Sequence, residues 1–455
     1  MQPPLAHSGE ISTVSSSSSQ HAALKRISLA PFIAVLYAYC AGGPFGFEAI
    51  VSTSGPGMAL IFLLTIPLLF SVPVSLATAE MATAMPVEGG FYRWTRAAFG
   101  DFWGFQCGWW NWTGTFLMSG AYGVIMADYI AGLTPLTKLQ HWLIAFSFLV
   151  LVTWLNVLGI KLVGNLTLFL LFIALVPTLI FTVLGFTHAQ SNPLHPWFPP
   201  DKPWQQSFGD GLALGLWVYS GYEQLSTVTE EVENPARNFP LALAIVVPLA
   251  VLSFVLPFAA GLASVGQWQT WDVNHFVPAA RQLAGPWLEW AMFAAAAICT
   301  FVLLDSTLLS ASRLPFTMAE DGFLHHSLAK LHPKYGTPAR AILISLPVLA
   351  VLAQFSLVRL IAVYAFFRAA STVMTLLSVW RLREGAPELE RKFLVPGGAI
   401  GMAVVVAAPT LLFAWALINS EGATRLWAVA GLSMGPLLYV YLRLRKRRPT
   451  SKTSK

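Results

Sequence analysis

Only 11% of the 455 residues are charged and 56% are hydrophobic, against about 25% charged in an ordinary soluble protein. A chain of this length cannot hide so much apolar surface, so a soluble enzyme or binding module is excluded and lipid must be the outer solvent. The net charge of +6 does not point to nucleic acid, because the basic residues fall in short loops and at the C-terminus.

Residues 1–24 are polar, with a serine run from Ser15 to Ser19, and read as a disordered cytosolic tail. Lys25 and Arg26 precede the first apolar stretch with no convincing cleavage site, so an uncleaved first span with its N-terminus inside is expected. About twelve segments then approach the roughly 20 apolar residues that a bilayer demands. Expected spans 1 to 5 are Ser28–Ser54, Ala59–Met85, Phe102–Leu133, His141–Leu158 and Val163–Phe186. Spans 6 to 10 are Phe208–Glu231, Leu241–Val265, Pro286–Thr317, Ala339–Gln354 and Leu357–Leu382. Gly398–Ile418 and Leu426–Leu444 complete the set.

The expected organisation is an all-α membrane protein. A transport core over 25–396 holds two five-span halves (about 28–186 and 208–382), with two further spans in 397–444 and a basic cytosolic tail in 445–455. Charge tests the orientation. With both termini inside, 21 of the 27 Lys and Arg fall on the cytosolic side and 5 on the outer side, with Arg368 inside a span. That is the bias the positive-inside rule requires, and it suits a plasma or bacterial inner membrane. The run of Arg443, Arg445, Lys446, Arg447 and Arg448 reads as an anchor near anionic lipid.

Two spans carry a carboxylate beside a glycine, in Gly46-Phe47-Glu48 and Gly221-Tyr222-Glu223. Charges in mid-bilayer are expensive and mark function. Span 1 reads Ala41-Gly42-Gly43-Pro44-Phe45-Gly46-Phe47-Glu48. Proline removes a helix donor and glycine weakens the helix, so two half-helices with an unwound stretch near Gly42 to Gly46 are expected. Freed N–H groups favour a carboxylate, and freed carbonyls favour an ammonium. Span 6 reads Trp217-Val218-Tyr219-Ser220-Gly221-Tyr222-Glu223, where a single glycine makes a weaker case for a break. Its aromatic residues either wall a substrate site or pack against neighbouring helices. Broken helices at matching places in two halves are a mark of secondary transporters.

Other intramembrane charges have alternative readings. Glu80 lies near the cytosolic end of span 2 and reads as structural, and Asp128 near the outer end of span 3 as interfacial. Asp305 and Arg368 either line the cavity or form a buried partnership. Gly100, Gly104 and Gly108 suit close helix packing. Cys40, Cys107 and Cys299 read as small core residues. No phosphate loop, nucleophile elbow or zinc-ligand spacing occurs, so neither catalysis, cofactor nor metal is expected.

Several motifs resemble the amino acid–polyamine–organocation superfamily of transporters. Gly42-Gly43-Pro44-Phe45-Gly46-Phe47-Glu48, Ala79-Glu80-Met81, Glu88-Gly89-Gly90 and Trp103-Gly104-Phe105-Gln106 look closest to plant-type polyamine uptake transporters. Thr229-Glu230-Glu231-Val232-Glu233-Asn234-Pro235-Ala236-Arg237-Asn238-Phe239-Pro240 is similar to the L-type amino acid transporter loop. Ser312-Arg313-Leu314-Pro315-Phe316-Thr317-Met318-Ala319-Glu320-Asp321-Gly322 resembles the segment after span 8. The resemblance implies a LeuT-type 5+5 inverted-repeat fold and alternating access. It places substrate at Gly42, Gly43, Pro44, Phe45, Gly46, Glu48, Trp217, Ser220, Gly221 and Tyr222. Some relatives carry a coupling lysine in span 5, but residues 163–187 hold no Lys or Arg, so Glu223 is the expected proton-coupling group. The expected partners are a small-molecule substrate, the proton and the bilayer. Family analogy leans to amino acids over polyamines. A polyamine-selective symporter, an obligatory amino acid exchanger and a non-transporting nutrient receptor stand as alternatives.

Overall fold

The computed structural model describes residues 26–272, 274–419 and 422–447. The expected tail over 1–24 and the chain from Arg448 onward lie outside them. Span 1 forms two pieces, Leu29–Cys40 and Ile50–Ser54. Span 2 is Pro56–Ala84, with a π-helical turn at Pro67–Ser71. Spans 3, 4 and 5 are Asp101–Ala131, Lys138–Val157 and Ile160–Thr187. Span 6 runs Trp204–Val218, breaks, and resumes as the 3₁₀ segment Gln224–Glu231. Spans 7 and 8 are Pro235–Ser264 and Pro286–Glu320. Span 9 is split into Ala339–Leu343 and Leu346–Leu352; spans 10 to 12 are Leu357–Gly385, Gly398–Ile418 and Gly422–Arg447. Among the described residues, 8 helices are individually long and apolar enough to cross a membrane. Spans 1, 6 and 9 fall short because they are interrupted. Span 3 has the length but carries Gln106, Asn111 and several glycines. Large apolar side chains on the outside, such as Phe169 and Phe172 of span 5, meet lipid rather than water.

The halves share their punctuation. Each opens on a broken helix, and each places a 9-residue helix between its second and third spans: Phe91–Phe99 and Phe276–Ala284. Each of these short helices ends at a glycine with positive φ, Gly100 or Gly285, which also starts the next span. These short helices were not anticipated from the sequence. Gly104 and Gly108 let span 3 lie against Arg96 and Tyr92 of the first one, which is the close packing expected of small residues.

Span 2 and the break in span 6 satisfy each other's backbone. Pro67 has no N–H for the carbonyl four residues before it, and the Tyr219 hydroxyl donates to that Leu63 oxygen at 2.7 Å. The Ser71 hydroxyl in turn donates to the Tyr219 carbonyl at 3.2 Å. In lipid, irregular backbone persists only where protein supplies such partners.

Span 1 enters the protein at the face where the described residues begin, here the terminal face. That face is sealed. Ile27 N–H donates to the Glu231 carbonyl at 2.7 Å, and Glu233 N–H donates back to Ile27 at 3.0 Å. Arg313 grips the Glu231 carboxylate with two nitrogens, at 2.7 and 3.0 Å. Arg93 reaches Glu320 at 3.2 Å. The opposite face holds an open vestibule of about 1350 Å³, lined in part by Asp128, Tyr129, Lys138, His141, Asp272 and His275.

Candidate substrate site

The break in span 1 is required by packing. Gly42 and Gly43 adopt φ of 60° and 110°. A Cβ on Gly42 would land on the Leu303 side chain, and one on Gly43 would sit 2.6 Å from the Cys299 sulfur. The unwound chain therefore lies directly on span 8. In span 6, Gly221 has φ 128°, and a Cβ there would meet the Tyr39 ring at 2.7 Å. The Tyr39 hydroxyl donates to Gln224 at 3.3 Å. Thus the two broken segments touch each other.

Between them is a cavity of about 40 Å³, room for about three waters. Ala41, Phe45 and Phe47 reach it from span 1, and Trp217, Val218 and Ser220 from span 6. Tyr39, Tyr122 and Tyr364 add further rings, and Thr300, Leu303 and Thr307 of span 8 form a wall. No lining side chain is a carboxylate, lysine, arginine or histidine. The surface is aromatic and hydroxylic, suited to methylenes and to a cation facing ring electrons.

Both carboxylates lie just outside this wall. Glu48 is fully buried, and its Oε2 accepts from the Gly46 N–H at 2.8 Å. The peptide groups of Phe47 and of Glu48 itself also face it. It thus caps the exposed N–H groups where the chain turns into the second half of span 1. Its electrostatic neighbours Asp272 and Tyr129 line the vestibule, so Glu48 stands between vestibule and cavity. Glu223 is also buried. It accepts from the Thr372 hydroxyl at 2.6 Å and meets Arg368 at 2.8 Å. The open alternative for Arg368 is thereby decided: it is the buried partner of Glu223, not of Asp305. Asp305 takes hydrogen bonds from Asn156 and Thr167.

Residues 31–440 match the family described as amino acid permease. The chain belongs to that family. The permease is similar over most of its length to several curated proteins. One is a probable polyamine transporter of Arabidopsis thaliana, 29% identical over 392 residues, covering 86% of this chain and 78% of the relative. Polyamine transporter RMV1 of the same plant is 28% identical over 422 residues, with 91% and 85% covered. Polyamine transporter PUT1 of rice, Oryza sativa subsp. japonica, is 28% identical over 425 residues, with 92% and 78% covered. The protein is a membrane permease and not an enzyme.

Of the residues expected at the permease's substrate site, the structure brings Phe45, Trp217 and Ser220 to the cavity wall. Gly42, Gly43, Pro44, Gly46 and Gly221 shape the breaks without lining it. Tyr222 is a correction: it is wholly buried and absent from the wall, with Ser71 among its neighbours. Tyr219 likewise spends its hydroxyl on span 2. Unwinding at Gly221 replaces helical spacing, so alternate aromatics leave the face they would have shared. Glu223, the expected proton-coupling group, is held in an ion pair with Arg368. Glu80 is buried between Arg383 and Arg391, at 3.5 and 3.4 Å, and accepts from Val395 N–H, a structural role without contact to water.

Sequence reasoning missed Tyr39, Phe47, Met118, Tyr122, Thr307 and Tyr364. Tyr39 and Phe47 flank the glycine-proline cluster, which was the available signal. The others sit on continuous helices with nothing local to mark them.

Proposed function

We propose that the permease takes up polyamines by alternating access, with proton gradient and membrane voltage as the drive. The observation that carries the substrate choice is a filled anion position. Pro44 has no N–H, and the Gly46 N–H is already given to Glu48 at 2.8 Å. To take the Gly46 N–H, an amino acid's carboxylate would have to displace that acid. An ammonium instead finds the Glu48 charge on one side and a wall of rings around it. The names of the three relatives support the same choice and reverse the lean toward amino acids.

In this reading the sealed terminal face is cytosolic, as the distribution of Lys and Arg favours, and the vestibule faces outward. Asp128 and Asp272 at its mouth attract a dication. Voltage alone then does much of the work: two charges crossing 100 mV gain about 4.6 kcal/mol, a gradient of roughly 2000-fold. One proton with a pH unit adds about 3.7 kcal/mol. No nucleotide is needed.

The test is a competition panel on the purified permease in vesicles. Radiolabelled putrescine uptake is expected to be blocked by excess putrescine or spermidine and not by neutral amino acids. Blockade by amino acids with no effect of spermidine would return the site to α-amino acids.

A further inference from the structure

Proton-driven uptake needs a group that takes up and releases the proton. We infer that Asp305, held by Asn156 and Thr167, is the group that takes up and releases it.

Six acids are buried among the described residues: Glu48, Glu80, Glu88, Glu223, Glu231 and Asp305. Glu80, Glu223 and Glu231 have arginines within 4 Å, and Arg313 acts on Glu88. Glu48 has no cation but takes backbone N–H groups. Asp305 has neither. It is 1% exposed, and its partners are the Asn156 amide, donating to Oδ1 at 2.6 Å, and the Thr167 hydroxyl, donating to Oδ2 at 3.4 Å. A lone carboxylate in such a place is relieved by binding a proton.

The two partners also assign the atom. An amide nitrogen only donates, so Oδ1 remains an acceptor in both states. A hydroxyl both donates and accepts, so Thr167 can turn to receive a proton carried on Oδ2. The same donor set argues against a metal cation, which wants oxygen acceptors in numbers.

Among the described side chains, no other titratable group on the packed helices forms an ion pair or hydrogen bond with Asp305. Span 1 offers Tyr37, Tyr39 and Cys40; span 3 offers Asp101, Cys107, Tyr122, Asp128 and Tyr129. Lys138 and His141 stand at the far end of span 4. Cys299, Glu289, Arg313 and Glu320 share span 8. The short helix Phe276–Ala284 adds Arg281 with His275 before it, the 3₁₀ segments add Glu230, Glu231 and His326, and span 9 adds Arg340. Among the described side chains, Asp305 is hydrogen-bonded by Asn156 and Thr167.

The location couples proton to substrate. Leu303, two residues earlier, packs on Gly42, and Thr307, two residues later, lines the cavity. Span 5, which carries Thr167, packs on spans 1, 7 and 8. Gain of a proton on Oδ2 from the vestibule side reverses the long Thr167 bond and alters the grip between spans 5 and 8. Loss of that proton to the terminal side restores it.

This inference rests on proton coupling, so the experiment separates the two. Wild-type permease in vesicles is expected to accumulate putrescine with an imposed pH gradient and to exchange it without one. Asp305→Asn is expected to lose the pH-driven component at least tenfold while exchange stays within about threefold; Glu223→Gln is the rival. Wild type that exchanges but ignores the pH gradient overturns coupling itself. Coupled wild type with Asp305→Asn still responding to pH overturns the assignment. A second readout needs no substrate. Infrared difference spectra across pH should show a carboxylic-acid carbonyl band that Asp305→Asn abolishes and Glu223→Gln leaves. If Asp305→Asn fails to fold, Thr167→Val serves: it should move the pH at which that band appears by about one unit, and an unmoved band refutes the assignment.

Discussion

On the terminal face of the permease Glu231, Glu80 and Glu320 each meet an arginine within 4 Å, while on the opposite face Asp128 and Asp272 stand before an open vestibule. The first arrangement closes a pathway. Buried opposite charges in fixed geometry hold spans 6, 8 and the Phe91–Phe99 helix in a single register. The second leaves a pathway open and biases which ions enter it. The difference teaches that the closed side is a set of replaceable contacts, because each pair is costly to desolvate and gains only by meeting its partner.

The largest effect is therefore expected from breaking a pair on one side only. Arg313→Met leaves Glu231 buried without its cation, a loss of about 3–5 kcal/mol. Part of that loss is relieved by opening the terminal face. A cysteine placed at Ser310, beside the seal, should react with an impermeant maleimide at least tenfold faster in the variant. The double change Arg313→Met with Glu231→Leu removes both charges and should return labelling toward the wild-type rate. A seal indifferent to Arg313→Met would mean that backbone contacts around Ile27 carry it.

The comparison also marks how far the sequence is legible. Span number and boundaries follow from the bilayer, which enforces long apolar helices and leaves few alternatives. Gly42, Gly43 and Pro44 announce the first break because their backbone chemistry is local. Single Gly221 announces the second more faintly, and the partners that make it tolerable, Ser71 and Tyr39, lie far off in the chain. Pairing is not local at all. Nothing near Glu223 points to Arg368, and nothing near Glu231 points to Arg313. For the same reason Phe45 and Trp217 reach the cavity wall while Tyr222 does not: once a helix unwinds, its period no longer says where a side chain faces. The short helix Phe91–Phe99 left no such trace, since its buried residues are the consecutive Phe91, Tyr92, Arg93, Trp94 and Thr95, a run with no helical period to stand out beside the spans.

A smaller effect sharpens the open side. His275 precedes the Phe276–Ala284 helix and stacks on Trp271 with ring centroids 4.5 Å apart. Burial lowers its pKa from 6.5 to about 4, so it is neutral where a free imidazole begins to charge. The unfolded chain then binds the proton first, and stability falls as pH drops through the interval between the two values. From pH 7 to pH 5 the loss is about 2 kcal/mol. The melting temperature of wild type should fall more over that interval than that of His275→Gln. Equal falls would mean that the vestibule rim does not respond to this histidine.

The smallest effect tests the vestibule as an attractor. Asp128 hydrogen-bonds His141 at 2.8 Å yet keeps 43% of its side chain exposed, so its field reaches the solvent. Surface charges of this kind alter encounter more than affinity, and salt screens them over about 10 Å at 0.1 M. Asp128→Asn combined with Asp272→Asn should slow initial putrescine uptake two- to fivefold at low ionic strength. The maximal rate at saturating substrate should stay near wild type, and the difference should vanish at 0.5 M salt. A deficit that persists in high salt would place one of these acids in contact with the substrate. The acids of the open face would then resemble the paired acids of the sealed one, acting through geometry rather than field.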